Sequence, residues 1–179
     1  MSGVDILDAL QPYFTVSFTD TDEDKIDELY AIFQRDFFDS PFTINGKDLK
    51  IKIFPYVNHI KDGLPEYFCG YYEKFVHIIT REIKGKLKIS PKQRKFKADR
   101  ANRIHWIRPI LEHSNDVRIT NFSFQESDGT LREYFWYKEK QFMVVLEEIN
   151  PNYHLITGFC VDKHNITYYE SKYKGRVIK

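Results

Sequence analysis

The alternation of hydrophobic and polar residues predicts a strand and then a helix at the start of the chain. Residues 13–19 alternate well enough for a strand. Ile26, Leu29 and Phe33 recur at helical spacing after a group of acidic residues, which favour the start of a helix. We therefore predict a helix that ends near Phe38.

The next segments predict a hairpin and two more helices. Asn45-Gly46 is a strong turn signal, because both residues tolerate the positive φ angles of a two-residue hairpin. Residues 64–80 place aromatic side chains on one helical face. A third helix is predicted from Lys95, with an interruption at Pro109, which lacks the backbone donor that a helix interior needs.

After Asn115 the pattern changes to runs rich in β-branched and aromatic residues. These runs are residues 117–124, 131–138, 141–149, 154–161 and 166–173. The links between them are short, and short links join antiparallel neighbours. We therefore expect an α+β fold in which N-terminal helices pack on a C-terminal antiparallel β-meander of four to five strands. The length fits a single domain, 1–179, in which residues 1–60 supply an accessory helix and hairpin.

Composition excludes several classes of protein. Cys69 and Cys160 are far apart and lack C-x-x-C spacing, so we expect two buried thiols and neither a zinc site nor a disulfide. No apolar run approaches the about 20 residues that cross a membrane. The N-terminus has no basic region followed by an apolar stretch. These features predict a cytoplasmic protein that does not contact a membrane.

The net charge of +1 conceals an asymmetry along the chain. Residues 1–40 hold ten acidic residues and two basic ones, whereas residues 84–103 hold nine basic residues and one acidic one. The basic segment, in which Gly85 and Pro91 bracket a loose connection, is either a solvated linker or a strip that binds phosphate groups.

No cofactor motif accompanies this charge pattern. A Gly-rich phosphate loop, a dinucleotide fingerprint and an H-E-x-x-H pair are all absent from the sequence, so we expect no cofactor and no metal. Histidine, arginine, threonine and tyrosine remain, and RNA cleavage needs little more. It requires one group to remove a proton from the 2′-hydroxyl, another to protonate the leaving oxygen, and cations to bind phosphate.

The residues that could supply this chemistry fall into three groups. His77 and Arg81 are i and i+4 on a predicted helix, which would let both reach one phosphate, although a histidine at the core edge is the alternative. Arg100, Arg103 and Arg108 accompany His105 and Trp106 in one basic segment, where the alternative is that Trp106 is a core residue and the arginines lie at the surface. Thr157, Tyr134 and Tyr169 lie in predicted strands, where they are either packed residues or part of a binding face.

The order of these motifs resembles a known group of enzymes. The motifs are R-A-N-R-I-H-W-I-R-P-I-L-E at 100–112, R-E-Y-F-W-Y-K at 132–138, F-M-V-V-L-E-E at 142–148, L-I-T-G-F at 155–159 and Y-Y-E at 168–170. Together they resemble the phage-associated branch of the barnase–EndoU–colicin–RelE group of ribonuclease domains, mainly over residues 96–172, or over 64–172 if the helix of His77 belongs to the core. The resemblance implies a helix packed on an antiparallel sheet that binds RNA on one face. It also implies a metal-independent toxin, with roles for Arg100 and Arg103 on the helix and for Arg132, Thr157 and Tyr169 on strands.

The sequence thus predicts a metal-independent endoribonuclease that cleaves RNA, with tRNA as one candidate, by 2′-hydroxyl transesterification. The predicted catalytic residues are His77, Arg81, Arg100, Thr157 and Tyr169. The predicted RNA-binding residues are Lys95, Lys97, Arg103, Arg108, Arg132 and Tyr134. A toxin of this kind implies an inhibitory antitoxin or immunity protein as its partner. The alternative is a non-catalytic RNA- or protein-binding module with the same fold.

Overall fold

A computed structural model describes residues 3–84 and 93–179, so that the basic connection bracketed by Gly85 and Pro91 lies outside the described residues. The chain divides into two compact units. The sheet unit comprises residues 1–11, 41–51 and 106–179, and the helical unit comprises residues 12–40 and 52–105. No helix among the described residues is long and apolar enough to span a membrane.

The described residues form six α-helices and eight strands. The α-helices are α1 (Glu23–Gln34), α2 (His59–Asp62), α3 (Glu73–Ile79), α4 (Ala98–Ala101), α5 (Ile107–Glu112) and α6 (Ile166–Lys174). The strands are β1 (Thr43–Ile44), β2 (Lys47–Lys50), β3 (Thr80–Ile83), β4 (Gln93–Phe96), β5 (Ile119–Gln125), β6 (Leu131–Tyr137), β7 (Phe142–Ile149) and β8 (Asn152–Cys160). A π-helical turn, Arg35–Asp39, continues α1, and 3-10 turns cover Glu66–Gly70, Ile104–Trp106 and Lys163–Asn165.

The protein has an α+β fold with a C-terminal antiparallel meander, as the alternation of its residues predicts. Strands β5 to β8 pair with their sequence neighbours, and β2 of the predicted hairpin then adds in parallel to β8. The six-stranded order is β1-β2-β8-β7-β6-β5. Because alternate residues of a strand point to opposite faces, each strand contributes to two different layers.

Helix α6 covers one face of this sheet, which we call the front face. Its core includes Phe122, Tyr134 and Trp136 from adjacent strands, and Tyr169 and Tyr173 of α6 pack against that cluster. The opposite, back face packs against α5. There Gly158 lies so close to Ile107 that a Cβ at this position would come within 2.7 Å of Ile107 Cδ1, so only glycine fits without a shift.

The helical unit is held by aromatic packing and by tyrosines that donate to acidic groups. Phe33 of α1 and Phe75 of α3 are fully buried, with ring centroids 5.5 Å apart. Tyr71 donates to Asp27 at 2.5 Å and Tyr56 donates to Asp62 at 2.7 Å. Burial raises the pKa of Tyr71, and the hydrogen bond to Asp27 raises it further. Two acidic residues of this region, Asp27 and Asp62, therefore bind neighbouring tyrosines.

Two predicted segments of the first half differ from the structure. Residues 13–19 form no strand, since the backbone of Tyr13 and Phe14 bonds to Asn102 of the α4 region. The predicted helix 64–80 is broken into the 3-10 turn Glu66–Gly70 and α3, because Tyr71 has an extended backbone.

Three more predictions are wrong in the second half. The helix predicted from Lys95 starts later, because residues 93–96 pair as β4. Pro109 does not end it, because it lies in the first turn of α5, where no backbone donor is needed. Residues 166–173 form helix α6 instead of a fifth meander strand.

Candidate active site

Three polar residues from adjacent strands stand directly opposite one another on the front face. Arg132 of β6 pairs with Glu147 of β7, and Glu147 pairs with His154 of β8. Directly opposed residues in an antiparallel pair have Cβ atoms about 5 Å apart, so the three side chains form one continuous line, which we call the charged row. All three are half-buried, whereas the next residues toward α6, such as Tyr134 and Val145, are buried.

An irregularity in β8 places Thr157 on the face of the charged row, opposite Val145 in the next row of residues. The pairing of β7 with β8 shifts between Val145 and Leu146, so that Ile156 is an extra residue without a partner in β7. The bulge returns Thr157 to the face that carries His154. Bulges often re-aim a side chain in this way next to active sites.

Two polar atoms at this place are buried and lack a protein hydrogen-bond partner. Arg132 Nε and Thr157 Oγ1 make no hydrogen bond to any described residue. A buried donor or hydroxyl without a partner costs about 1–3 kcal/mol relative to one that is satisfied. Phosphate oxygens accept hydrogen bonds from arginine and threonine, but both atoms are screened from solvent, so a side chain must move before a ligand reaches them.

Two of the predicted site residues, Tyr134 and Tyr169, belong to the packed core of the front face. Lys172 of α6 donates to Tyr134 at 2.8 Å and to both carboxylate oxygens of Glu126 at 2.7 Å, and Tyr134 also donates to Glu126. Burial works to raise the pKa of Glu126, but the hydrogen bonds from Lys172 and Tyr134 outweigh it, so the net pKa is lowered. Tyr169 lies on α6 rather than on a strand, and its ring packs against Tyr134 and other aromatic residues.

His77, Arg81 and Arg100 lie in the helical unit, and they do not share a helix turn. His77 is in α3, Arg81 is in β3 and Arg100 is in α4. Arg100 donates to the Thr80 carbonyl at 3.1 Å, and Arg94 donates to Thr80 Oγ1 at 2.8 Å. These arginines therefore fix the junction between α3 and β3.

The surroundings of His77 keep its ring neutral. Burial of the ring is the largest cause that lowers its pKa, the charges of Arg94, Lys74 and Arg100 add to it, and together they bring the pKa to about 3. His77 is nevertheless an exposed residue, so solvent reaches its side chain. A neutral imidazole donates a hydrogen bond from one ring nitrogen and accepts one at the other, but its N–H is too weak an acid to protonate a leaving group.

Three predicted cations do come together in the helical unit. Arg81 and Lys95 face each other across the β3–β4 hairpin, and both line an open cavity with Lys97. We call these three residues the basic hairpin face. Two other predicted RNA-binding residues have partners within the protein. Arg103 donates to the Asp99 carbonyl at 3.0 Å, and Arg108 donates to Glu112 at 2.6 Å.

The sequence did not single out Glu147 or His154. Each lies in an alternating strand where one polar residue is unremarkable, and only the strand register places them side by side. The sequence signal that could have found them is a polar residue whose neighbour two positions away, on the same strand face, is apolar. Glu147, which follows Val145 in this way, is an example.

The described ranges, 3–84 and 93–179, contain no group of three or more His, Cys, Asp or Glu side chains arranged to hold a metal ion. Cys69 and Cys160 are free thiols, half-buried rather than buried as predicted. Neither a family model, nor a curated protein, nor a solved structure matches this chain.

Proposed function

We propose that this protein is an endoribonuclease that cleaves RNA by 2′-hydroxyl transesterification without a metal ion, and that the charged row is its active site. The observation that carries the proposal is the register that aligns Arg132, Glu147 and His154 on one partly open sheet face. The combination of a carboxylate, an imidazole and a guanidinium supplies the acceptor, the donor and the phosphate ligand that this reaction requires.

Each residue has a distinct role in the reaction. The Glu147 carboxylate removes the proton of the 2′-hydroxyl, and the 2′-oxygen forms a bond to phosphorus. The bond from phosphorus to the 5′-oxygen breaks, and protonated His154 gives its proton to that oxygen. Arg132 binds the phosphate oxygens on which charge develops, with Thr157 as a further donor. The products are a 2′,3′-cyclic phosphate and a 5′-hydroxyl.

The basic hairpin face supports RNA binding by the same protein. Arg81, Lys95 and Lys97 concentrate positive charge on exposed or half-buried side chains, and such cations bind the phosphate backbone with little regard to sequence. The proposal assigns them to binding and the charged row to catalysis. His77 is not chosen as the proton donor because its ring is neutral near pH 7.

The proposal keeps the resemblance of the sequence motifs to the barnase–EndoU–colicin–RelE group of toxins. A toxin of that group would harm the cell that makes it, so the proposal includes a protein inhibitor as partner. Expression of the wild-type chain alone should stop bacterial growth, and a cleavage-dead variant should not.

The test is cleavage of total tRNA and of a structured RNA in the presence of EDTA, followed on denaturing gels. Wild type should give discrete fragments that end in a 2′,3′-cyclic phosphate. Glu147→Gln and His154→Ala should each lower the rate by about 10²–10⁴-fold, which is the usual contribution of a positioned acid or base.

The chain offers matched controls for both substitutions. Glu148→Gln changes the adjacent carboxylate, which lies on the back face and pairs with Lys47. His164→Ala removes an exposed histidine of a 3-10 turn. Both control proteins should cleave like wild type. Full activity of Glu147→Gln together with loss of activity in His77→Ala would move the active site to the helical unit. RNA that stays intact but shifts on a native gel would instead indicate a non-catalytic binding module.

A further inference from the structure

The charged row continues beyond His154 into the β1–β2 hairpin, which precedes the other strands of the sheet in sequence. Strand β2 pairs in parallel with β8, with Lys50 opposite His154 and Leu49 opposite Tyr153. Paired residues of neighbouring strands share a face, and neighbouring strands lie about 4.8 Å apart. Lys50 is therefore the front-face residue next to His154, on the side away from Glu147.

We propose that Lys50 binds the phosphate that follows the scissile one, so that the β1–β2 hairpin forms a subsite for the downstream part of the RNA. The inference rests on the proposed function, because it uses the charged row as the place of cleavage. His154 donates to the leaving 5′-oxygen, so the nucleoside that leaves extends past His154 toward β2. Its own 3′-phosphate then lies on the side of Lys50.

The spacing of the strands favours two separate phosphate sites. Arg132 on β6 and Lys50 on β2 are three strand intervals apart, or about 14 Å between their backbones. Two side chains at that separation serve neighbouring phosphates better than a single one. The site therefore fits an oligonucleotide with at least two phosphates.

The environment of Lys50 leaves its ammonium group available to a ligand. Its side chain is 51% exposed, and its ion pair is with Asp48 at 3.3 Å, which is 58% exposed. Exposed pairs of this kind contribute little to stability, so a phosphate can compete with Asp48 for the ammonium group.

Lys47 of the same strand provides a matched control. It lies on the back face, where it pairs with Glu148 and donates to Asn150 at 3.0 Å. Substitution of either lysine removes one positive charge from β2, but only Lys50 lies on the face of the charged row.

The experiment compares two minimal substrates, a dinucleoside monophosphate and the same molecule with a 3′-terminal phosphate. Wild type should cleave the second with a kcat/KM about 10-fold higher, chiefly through a lower KM, as expected for one charge-assisted hydrogen bond. Lys50→Ala should abolish this difference, and Lys47→Ala should keep it. A difference that persists in Lys50→Ala would overturn the proposal.

Binding of the 2′-deoxy analogues separates this proposal from the proposed function, since they lack the attacking hydroxyl. If wild type cleaves neither substrate, the proposed function fails, and the affinities of the two deoxy analogues still test the subsite. A preference for the 3′-phosphorylated analogue that disappears in Lys50→Ala would support it. Equal affinity of wild type for both analogues would refute it.

Discussion

His154 and Thr157 lie on the same face of the sheet although three positions separate them in β8. In a regular strand an odd separation places two side chains on opposite faces. The extra residue Ile156 changes that relationship, because Glu147 pairs with His154 while Val145 pairs with Thr157. The bulge thus places the Thr157 hydroxyl on the face that carries the His154 imidazole, and without it Thr157 would point toward α5 and the back face.

Replacement of Thr157 by valine should separate activity from stability. Oγ1 is buried without a described partner, so an apolar group of the same shape removes a desolvation penalty and should leave the free energy of unfolding unchanged or raised. If Oγ1 donates to the substrate phosphate, kcat/KM for RNA cleavage should fall about 10-fold. Urea unfolding and cleavage kinetics measure the two effects.

Thr120→Val is the control for that substitution, since Thr120 is half-buried on the same face, opposite Trp136. It should leave cleavage unchanged. Undiminished cleavage by Thr157→Val would show that the hydroxyl does not contact substrate.

Replacement of Lys172 by methionine should destabilise the protein by about 3–5 kcal/mol, the usual effect of removing one partner from a buried ion pair. The side chains of Lys172 and Glu126 are 8% and 17% exposed, so Glu126 would lose its compensating charge in a poorly solvated place. Chemical unfolding at pH 7 measures the change, and Lys174→Met, at an exposed position of the same helix, should have little effect. A loss below 1 kcal/mol for Lys172→Met would contradict this account.

The pH dependence of stability should reveal the lowered pKa of His77. Its pKa is lowered from 6.5 to about 3, so between these values the unfolded chain binds a proton that the folded chain does not. Stability contributed by the neutral ring is therefore present above pH 6.5 and is lost as the pH falls toward 3. The difference in unfolding free energy between wild type and His77→Asn should be constant above pH 7 and change below pH 6.5.

Urea unfolding at a series of pH values measures that difference, with His164→Asn as the control. A difference that stays constant from pH 7 to pH 4 would show that the ring titrates normally. The ring signals of His77 in an NMR titration should also stay unchanged from pH 8 to pH 5.

The basic hairpin face should determine how steeply RNA affinity depends on salt. If Arg81, Lys95 and Lys97 each neutralise one phosphate, each alanine substitution should weaken binding to unrelated RNAs alike. It should also reduce the slope of log affinity against log salt by about 0.7 for single-stranded RNA. Filter binding at salt concentrations from about 50 to about 200 mM measures the slope of log affinity against log salt. Lys25→Ala, in the acidic region of α1, is the control.

The sequence by itself determined the elements whose signals are local. Alternating β-branched and aromatic residues predicted the four strands β5 to β8, and Asn45-Gly46 predicted the β1–β2 hairpin, both of which the structure contains. The periodicity of Ile26, Leu29 and Phe33 predicted α1, because a single apolar face must be buried.

Tertiary structure decided the elements with ambiguous patterns. Residues 166–173 are rich in residues that favour strands, yet they form α6, because Ile166, Tyr169 and Tyr173 recur at helical spacing and pack on the front face. The backbone of Tyr13 and Phe14 pairs with Asn102, a residue distant in sequence.

The candidate site depends on the same distinction. Arg132 and Thr157 were found because they occur in motifs, whereas Glu147, His154 and Lys50 come together only through strand register, a bulge and a parallel strand addition. Register is set by which faces are buried and by the turns at the ends of the strands, so it is a property of the assembled sheet. The sequence supplies the residue types, and their alignment on one face of the sheet follows from the packing of α5 and α6 on the two sides of the sheet.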